Sequence, residues 1–222
     1  MQWDTALLQR LVRLGAAAGL IGCLMYAIRN FPVPSAIGVP LFIFFGPVLV
    51  VAYVGIYPFM SRPSPSISAL LGSVFGVIAA ATNMMFAVIQ LNNLHYIQGF
   101  IASAADEVER EAWRDILAGV FTVQNGLNYV ADFFFDWTIF FWAIVMWGHP
   151  RFGKLFSITG VIAGGLHFGM KLATFPVPPS EAGLYDAGPL IGLWYAAVCV
   201  QVLRNVRWLE APQPSAGAGA VA

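Results

Sequence analysis

Long stretches of hydrophobic side chains, separated by short polar or proline-rich segments, dominate the sequence. A helix rises about 1.5 Å per residue, so about 20 apolar residues cross a hydrocarbon core about 30 Å thick. Stretches of roughly that length lie at residues 11–28, 35–60, 67–89, about 126–147, 155–175 and 188–209. Proline and glycine punctuate the connections at residues 61–65, 149–153 and 175–179. The pattern predicts an all-α polytopic membrane protein with six transmembrane helices.

The fourth stretch is preceded by a charged segment with a helical pattern of its own. Residues 116–147 would run about 48 Å as one helix, which is too long for one span and too short for two. Asn125 and Gly126 are the weakest point for a helix, and Asp106 with Glu109 has the spacing of a capping box. We therefore expect a separate amphipathic helix over residues 107–124 on the outer side of the membrane. The alternative is a rigid extension of the fourth span.

Basic residues are distributed unevenly between the two sides of the predicted bundle. Residues 10, 13, 62, 151, 154, 204 and 207 lie on the side of the termini, and residues 29, 110 and 114 lie on the opposite side. The positive-inside rule then predicts that both termini are cytoplasmic. We expect residues 1–210 to form a single six-helix domain and residues 211–222 to form a disordered tail.

Composition narrows the class of protein further. Hydrophobic residues make up 59% and charged residues 10% of the 222 positions, and 11 Lys+Arg balance 11 Asp+Glu. Soluble domains carry about 25% charged residues, so this chain lacks the polar surface of a soluble globule. Zero net charge offers no basic face for nucleic acid, and two cysteines cannot form a disulfide scaffold.

Four ionisable residues lie within the predicted spans, at a cost of about 2.5–3.5 kcal/mol each near the bilayer centre. Asp132 and Asp136 are four apart on the fourth span, and His167 and Lys171 are four apart on the fifth, so each pair shares a helix face. The carboxylates lie roughly 9 and 15 Å below the outer boundary, and Lys171 and His167 roughly 6 and 12 Å below it. We expect an ion pair between Lys171 and Asp132, with His167 facing Asp136.

Other polar residues fall near the same level. Asn83 is near the middle of the third span, Gln90 and His95 are at its outer end, and Asn128 leads into the fourth span. The sequence thus predicts an outward-facing polar pocket between spans three, four, five and six. Its predicted binding residues are Asp132, Asp136, His167, Lys171, Asn83, Gln90, His95 and Asn128.

Three functions remain open for this cluster. The preferred one is binding of a small polar or amphiphilic molecule, with transport, sensing or proton coupling as extensions. With two aspartates against one lysine, either His167 is protonated or one aspartate keeps its proton. The alternatives are an intramembrane enzyme that uses the cluster for acid–base or metal-dependent hydrolysis, and a structural subunit in which the ion pair only fixes helix packing.

A metal centre is the weaker version of the enzyme hypothesis. His95, His167, Asp132 and Asp136 supply nitrogen and oxygen ligands suited to zinc or iron. No ligand-spacing motif supports the site, and Lys171 would repel a cation, so no cofactor is predicted. The expected partners are the lipid bilayer and a small-molecule ligand; a homo-oligomer stays open.

A short motif near the start raises one further alternative. Leu20-Ile21-Gly22-Cys23 resembles the lipobox of bacterial lipoproteins, preceded by Arg10 and Arg13. The apolar run continues past Cys23, however, whereas a lipoprotein normally becomes polar there. We therefore expect an intact span, in which Gly15 and Gly19 form a helix-packing face.

The last third of the chain carries a family resemblance. Residues 174–189, which read TFPVPPSEAGLYDAGP, and the following Leu193-Trp194-Tyr195 resemble the closing segment of a group of bacterial multi-pass membrane proteins with a domain of unknown function. The loop at residues 149–153 is similar to theirs as well. The resemblance implies a bacterial inner-membrane location and six spans, and it brings no activity or catalytic residue with it.

Overall fold

The architecture is a bundle of long helices, in a computed structural model that describes residues 4–29, 31 and 34–211. Six of the helices in these ranges are long and apolar enough to cross a membrane, and no strand is found there. The helices are α1 (Thr5–Arg29), α2 (Ser35–Met60), α3 (Ile67–Asn92), α4 (Gln98–Ser103), α5 (Glu107–Gly148), α6 (Gly153–Thr174) and α7 (Gly188–Asn205). A π-helical turn, Asn93–Ile97, joins α3 to α4, and a 3-10 turn, Val206–Glu210, follows α7. The predicted all-α polytopic fold is confirmed; residues 212–222 of the predicted tail lie outside the described residues.

The six long helices form a closed ring. Neighbours around it are α1–α2, α2–α3, α3–α5, α5–α6, α6–α7 and α7–α1, and the α6–α7 contact is the smallest of the six. The buried core fills the middle with aromatic and aliphatic side chains, Trp142, Ile56 and Phe59 among those without exposed surface. The predicted close approach at Gly15 is present, since a Cβ atom added there would lie 2.6 Å from the Cα of Gly55 on α2. The α1–α2 contact therefore needs two glycines.

The predicted break at Asn125 and Gly126 is wrong, because α5 is one continuous helix of 42 residues. Its N-terminal cap is the predicted one: the Asp106 carboxylate accepts a hydrogen bond from the Glu109 amide at 2.8 Å. Residues 107–124 are thus helical but form the extension of a span rather than a separate amphipathic helix. With α6 only 22 residues long, α5 projects roughly 30 Å beyond it at about 1.5 Å per residue.

A partner helix explains why α5 does not break. The α3 helix continues through the π turn into α4, which runs back along the first part of α5. Phe100 of α4 stacks on Trp113 of α5 with ring centroids 4.6 Å apart, and the buried Asn93 amide donates to the Gln124 carbonyl oxygen at 3.3 Å. We call residues 93–125 the long hairpin, and the end of the bundle that bears it the hairpin end.

The opposite end of the bundle is held together by a buried histidine. His149, in the α5–α6 loop, makes a hydrogen bond through Nε2 to the Phe59 carbonyl at 3.1 Å, and its Nδ1 accepts from the Arg151 amide at 3.2 Å. The rings of Phe59, Phe152 and Trp208 surround it. Burial lowers the pKa of His149, because the ring cannot be hydrated as a cation there.

Candidate functional site

Two charged pairs join α5 to α6, as the sequence predicts. The Lys171 ammonium lies 2.5 Å from Asp132 Oδ2, and His167 Nδ1 lies 3.0 Å from both carboxylate oxygens of Asp136. The helices are antiparallel neighbours, so a spacing of four on each brings both pairs into register. The predicted partners are confirmed.

The Asp136–His167 pair is the more deeply buried of the two. Asp136 has no exposed surface and His167 retains 5% of its own. The carboxylate binds Nδ1 of the ring and leaves the other ring nitrogen, Nε2, unengaged by Asp136. Asp136 therefore fixes the orientation of the His167 ring.

The Lys171–Asp132 pair is supported by two further contacts. The Asn128 amide donates to Asp132 Oδ2 at 3.3 Å, and the Lys171 ammonium lies 5.0 Å from the centroid of the Tyr129 ring. The side chains of Lys171 and Asp132 are 8% and 18% exposed. Each charge thus has a direct partner, as groups in a low-dielectric environment require.

A cavity of about 350 Å³ adjoins these pairs. Asn83, Asn128, Asp132, His167 and Lys171 form its polar wall on α3, α5 and α6. Aromatic side chains from several helices line it as well: Tyr26, Phe45, Tyr53, Phe86, Phe135, Trp194 and Tyr195. The exposed Asp186, in the α6–α7 loop, lies at its rim, so the cavity opens toward the hairpin end.

More helices contribute residues to the cavity than the sequence predicts. We expected walls from spans three to six, but α1 contributes Tyr26 and Cys23, and α2 contributes Tyr53. Tyr26 and Tyr53 could not be identified from the sequence, because aromatic side chains occur on every span and their spacing does not show which of them face the cavity. Their place follows from the closure of the ring, which brings α1 and α2 opposite α5 and α6.

Three of the predicted binding residues do not line the cavity. Asp136 is one layer behind it, in contact with His167. Gln90 has a buried side-chain oxygen but lies outside the lining, and His95 is exposed in the π turn with its ring 4.8 Å from that of Tyr96. Gln90 lies about two helical turns beyond Asn83 toward the hairpin end, and His95 lies more than three turns beyond it.

One polar atom on the cavity wall has no hydrogen-bond partner among the described residues. It is the buried Oδ1 of Asn83, a residue that retains 7% of its surface. The buried Tyr195 hydroxyl, in contrast, interacts with the side chains of Tyr53 and Cys199. Buried polar atoms are normally satisfied, so a bound molecule or water is the natural partner for Asn83 Oδ1.

The metal alternative finds no support in the geometry. Within the described ranges, no group of three or more His, Cys, Asp or Glu side chains is arranged to hold an ion. His95 is on the long hairpin, away from His167 and Asp136. The four ligands considered from sequence are therefore not brought together.

Fold and site together define the class: an all-α polytopic membrane protein with paired charges beside a polar–aromatic cavity. Comparison of the chain with protein-family models, with curated proteins and with solved structures finds no match. Function must therefore be argued from the cavity itself.

Proposed function

We propose that the protein binds a small polar or amphiphilic molecule in the cavity between the six helices. The observation that carries this proposal is Asn83 Oδ1, a buried acceptor without a protein partner on the wall of a cavity of about 350 Å³. Lys171 and His167 line the same cavity and add charged and hydrogen-bonding groups to its wall. Ionisable groups kept inside a membrane bundle commonly mark a ligand or ion pathway, which adds support.

We further propose that the protein resides in a bacterial inner membrane with both termini in the cytoplasm. The excess of Lys and Arg on the side of the termini supports this orientation. The cavity then opens to the outer side, and transport or sensing of an external molecule, coupled to protons through His167, becomes the natural extension.

A second candidate, acid–base catalysis, is favoured by one specific feature. The buried Asp136 carboxylate holds Nδ1 of His167, which leaves Nε2 as the atom able to accept a proton from a molecule in the cavity. An enzyme would turn its ligand over, whereas a binding protein would release it unchanged. Mass spectrometry of the recovered ligand separates the two.

The test of binding uses a native reporter, because Cys23 lines the cavity. The rate at which methyl methanethiosulfonate modifies Cys23, read by peptide mass spectrometry, is measured with 1-monooctanoylglycerol, octanoate or octylamine present. The variants are Lys171→Met and Asn83→Leu. Lys154→Met is the matched control, since Lys154 is on the same helix but contacts Trp147 at the other end.

We expect at least one compound to slow modification of Cys23 tenfold or more in the wild type and in Lys154→Met. Protection should be lost in both cavity variants. Asn83→Leu guards against misfolding of Lys171→Met, because it removes an unpartnered acceptor and leaves every ion pair intact. The proposal would be refuted if none of the three compounds protected Cys23 in the wild type, or if both cavity variants were protected as strongly as the wild type. The structural-subunit hypothesis would then remain.

A further inference from the structure

A second concave surface lies on the outside of the bundle, between α6 and α7. It is an apolar groove of about 460 Å³ along the smallest of the contacts in the ring. Leu155, Ile162 and Leu193, which line it, are 73%, 55% and 69% exposed, so the groove faces the hydrocarbon of a surrounding bilayer. From Leu155 to Ala163 the groove follows α6 for about 12 Å.

One side chain lines both this groove and the cavity. Trp194 of α7 lines both, and its indole N–H donates to the Phe156 carbonyl of α6 at 3.0 Å. Its ring lies over Gly160, where an added Cβ would come within 2.7 Å of Cζ2. The indole of Trp194 is thus shared by the walls of the polar cavity and of the hydrocarbon-facing groove.

The charges of the cavity indicate which head group it accepts. Lys171 is paired with Asp132, and His167 with Asp136, so inside the cavity neither an added anion nor an added cation meets an uncompensated buried charge. The Asp186 carboxylate lies at the exposed rim, where water screens it. The unpartnered atom is instead an uncharged acceptor, the amide oxygen Oδ1 of Asn83. An uncharged hydroxyl group can donate a hydrogen bond to this oxygen.

We propose that the ligand is an uncharged, hydroxyl-bearing amphiphile with one hydrocarbon chain, whose head occupies the cavity while its chain passes Trp194 into the α6–α7 groove. This inference rests on the proposed function and names its ligand class. The ligand enters sideways from the bilayer, and the hydrogen bond from Trp194 to Phe156 is the contact that opens. Hydrocarbon in the groove replaces membrane lipid at little free-energy cost, so the chain can lie there while the hydroxyl group provides the polar selectivity.

The experiment uses the protein in lipid nanodiscs with a 1-dodecanoylglycerol analogue that carries a diazirine near the middle of its chain. Photocrosslinks, mapped by mass spectrometry, report where the chain lies, and protection of Cys23 reports the head. Ala197→Trp fills the groove from an exposed position on α7, and Ile162→Trp fills it from α6. Ala173→Trp, exposed on α6 but outside the groove lining, is the matched control.

We expect wild type and Ala173→Trp to crosslink at groove peptides of both α6 and α7, and Ala197→Trp and Ile162→Trp to lose at least nine-tenths of that signal. Dodecanoate and dodecylamine should protect Cys23 at least tenfold less well than the glycerol ester. Protection of Cys23 without groove crosslinks, or groove crosslinks that both groove variants retain, overturns the chain pathway and leaves the proposed function standing. Stronger protection by either charged analogue overturns the uncharged head group. No protection by any of the three refutes the proposed function itself.

Discussion

The ion pair between Lys171 and Asp132 allows a quantitative test of how the charged cluster is held. Replacing Lys171 with Met leaves the Asp132 carboxylate, whose side chain is 18% exposed, with only the Asn128 amide as a partner. Removing one member of a buried pair costs about 3–5 kcal/mol. The residual exposure and the amide contact place this case at the lower end, about 3 kcal/mol of the free energy of unfolding.

Removing both charges should recover most of that loss. In Lys171→Met/Asp132→Asn no charge is stranded, and the double variant should lie within about 1 kcal/mol of the wild type. Asp132→Asn, which strands the Lys171 ammonium, should cost about as much as Lys171→Met, so the double-mutant cycle gives a coupling free energy of about 5 kcal/mol. The measurement is reversible unfolding of the purified protein in mixed micelles, followed by circular dichroism at constant pH.

An exposed pair of the same protein provides the control for this cycle. Glu107 and Arg114 on the long hairpin lie 3.1 Å apart with side chains 64% and 51% exposed. Their coupling, from the Glu107→Gln and Arg114→Gln cycle, should not exceed about 0.5–1 kcal/mol, because water screens them. If the Lys171–Asp132 coupling were no larger than that of this pair, the argument that the two charges are held in a low-dielectric interior would be wrong.

Two further predictions concern the packing away from the cavity. Since burial lowers the pKa of His149, the folded protein disfavours its protonation. The stability that the neutral ring provides is fully present above the unfolded pKa of about 6.5 and falls as the pH drops below it. The thermal midpoint of the wild type should therefore fall between pH 7.5 and pH 5.5, and an equally large fall in a His149→Gln variant would contradict this. Gly15→Val should lower the free energy of unfolding by about 3 kcal/mol, because its Cβ would lie 2.6 Å from the Cα of Gly55. Gly165→Val is the control, since no atom lies within 4 Å of a Cβ added there, and in a denaturant titration it should unfold like the wild type.

The pairing across α5 and α6 could be predicted because it depends on two local conditions only. Residues four apart share a helix face, and a short loop makes consecutive spans antiparallel neighbours. Asp132, Asp136, His167 and Lys171 satisfy both conditions, so their partners follow without knowledge of the remaining helices. The cap at Asp106 was predictable for the same reason, since it involves residues three apart.

The path of the chain at Asn125 and Gly126 could not be predicted in this way. Helix propensity identifies these residues as the weakest point of the segment, but propensity is worth only about 1 kcal/mol for a glycine. The contacts of α5 with the extended α3 and with α4, including Phe100 on Trp113, outweigh that preference. These contacts are tertiary, and no local pattern reports them.

The number of spans, the helical class and the charged pairs follow from the amino-acid sequence, because hydrophobic length and helical periodicity are local properties. Which side chains enclose the cavity depends instead on how the helices pack. Closure of the ring places Tyr26 and Tyr53 opposite His167, and the loose α6–α7 contact places Trp194 between the cavity and the groove. Apolar helices can pack against one another in several orders at similar hydrophobic cost, so shape complementarity at contacts such as Gly15–Gly55 selects the order that is formed.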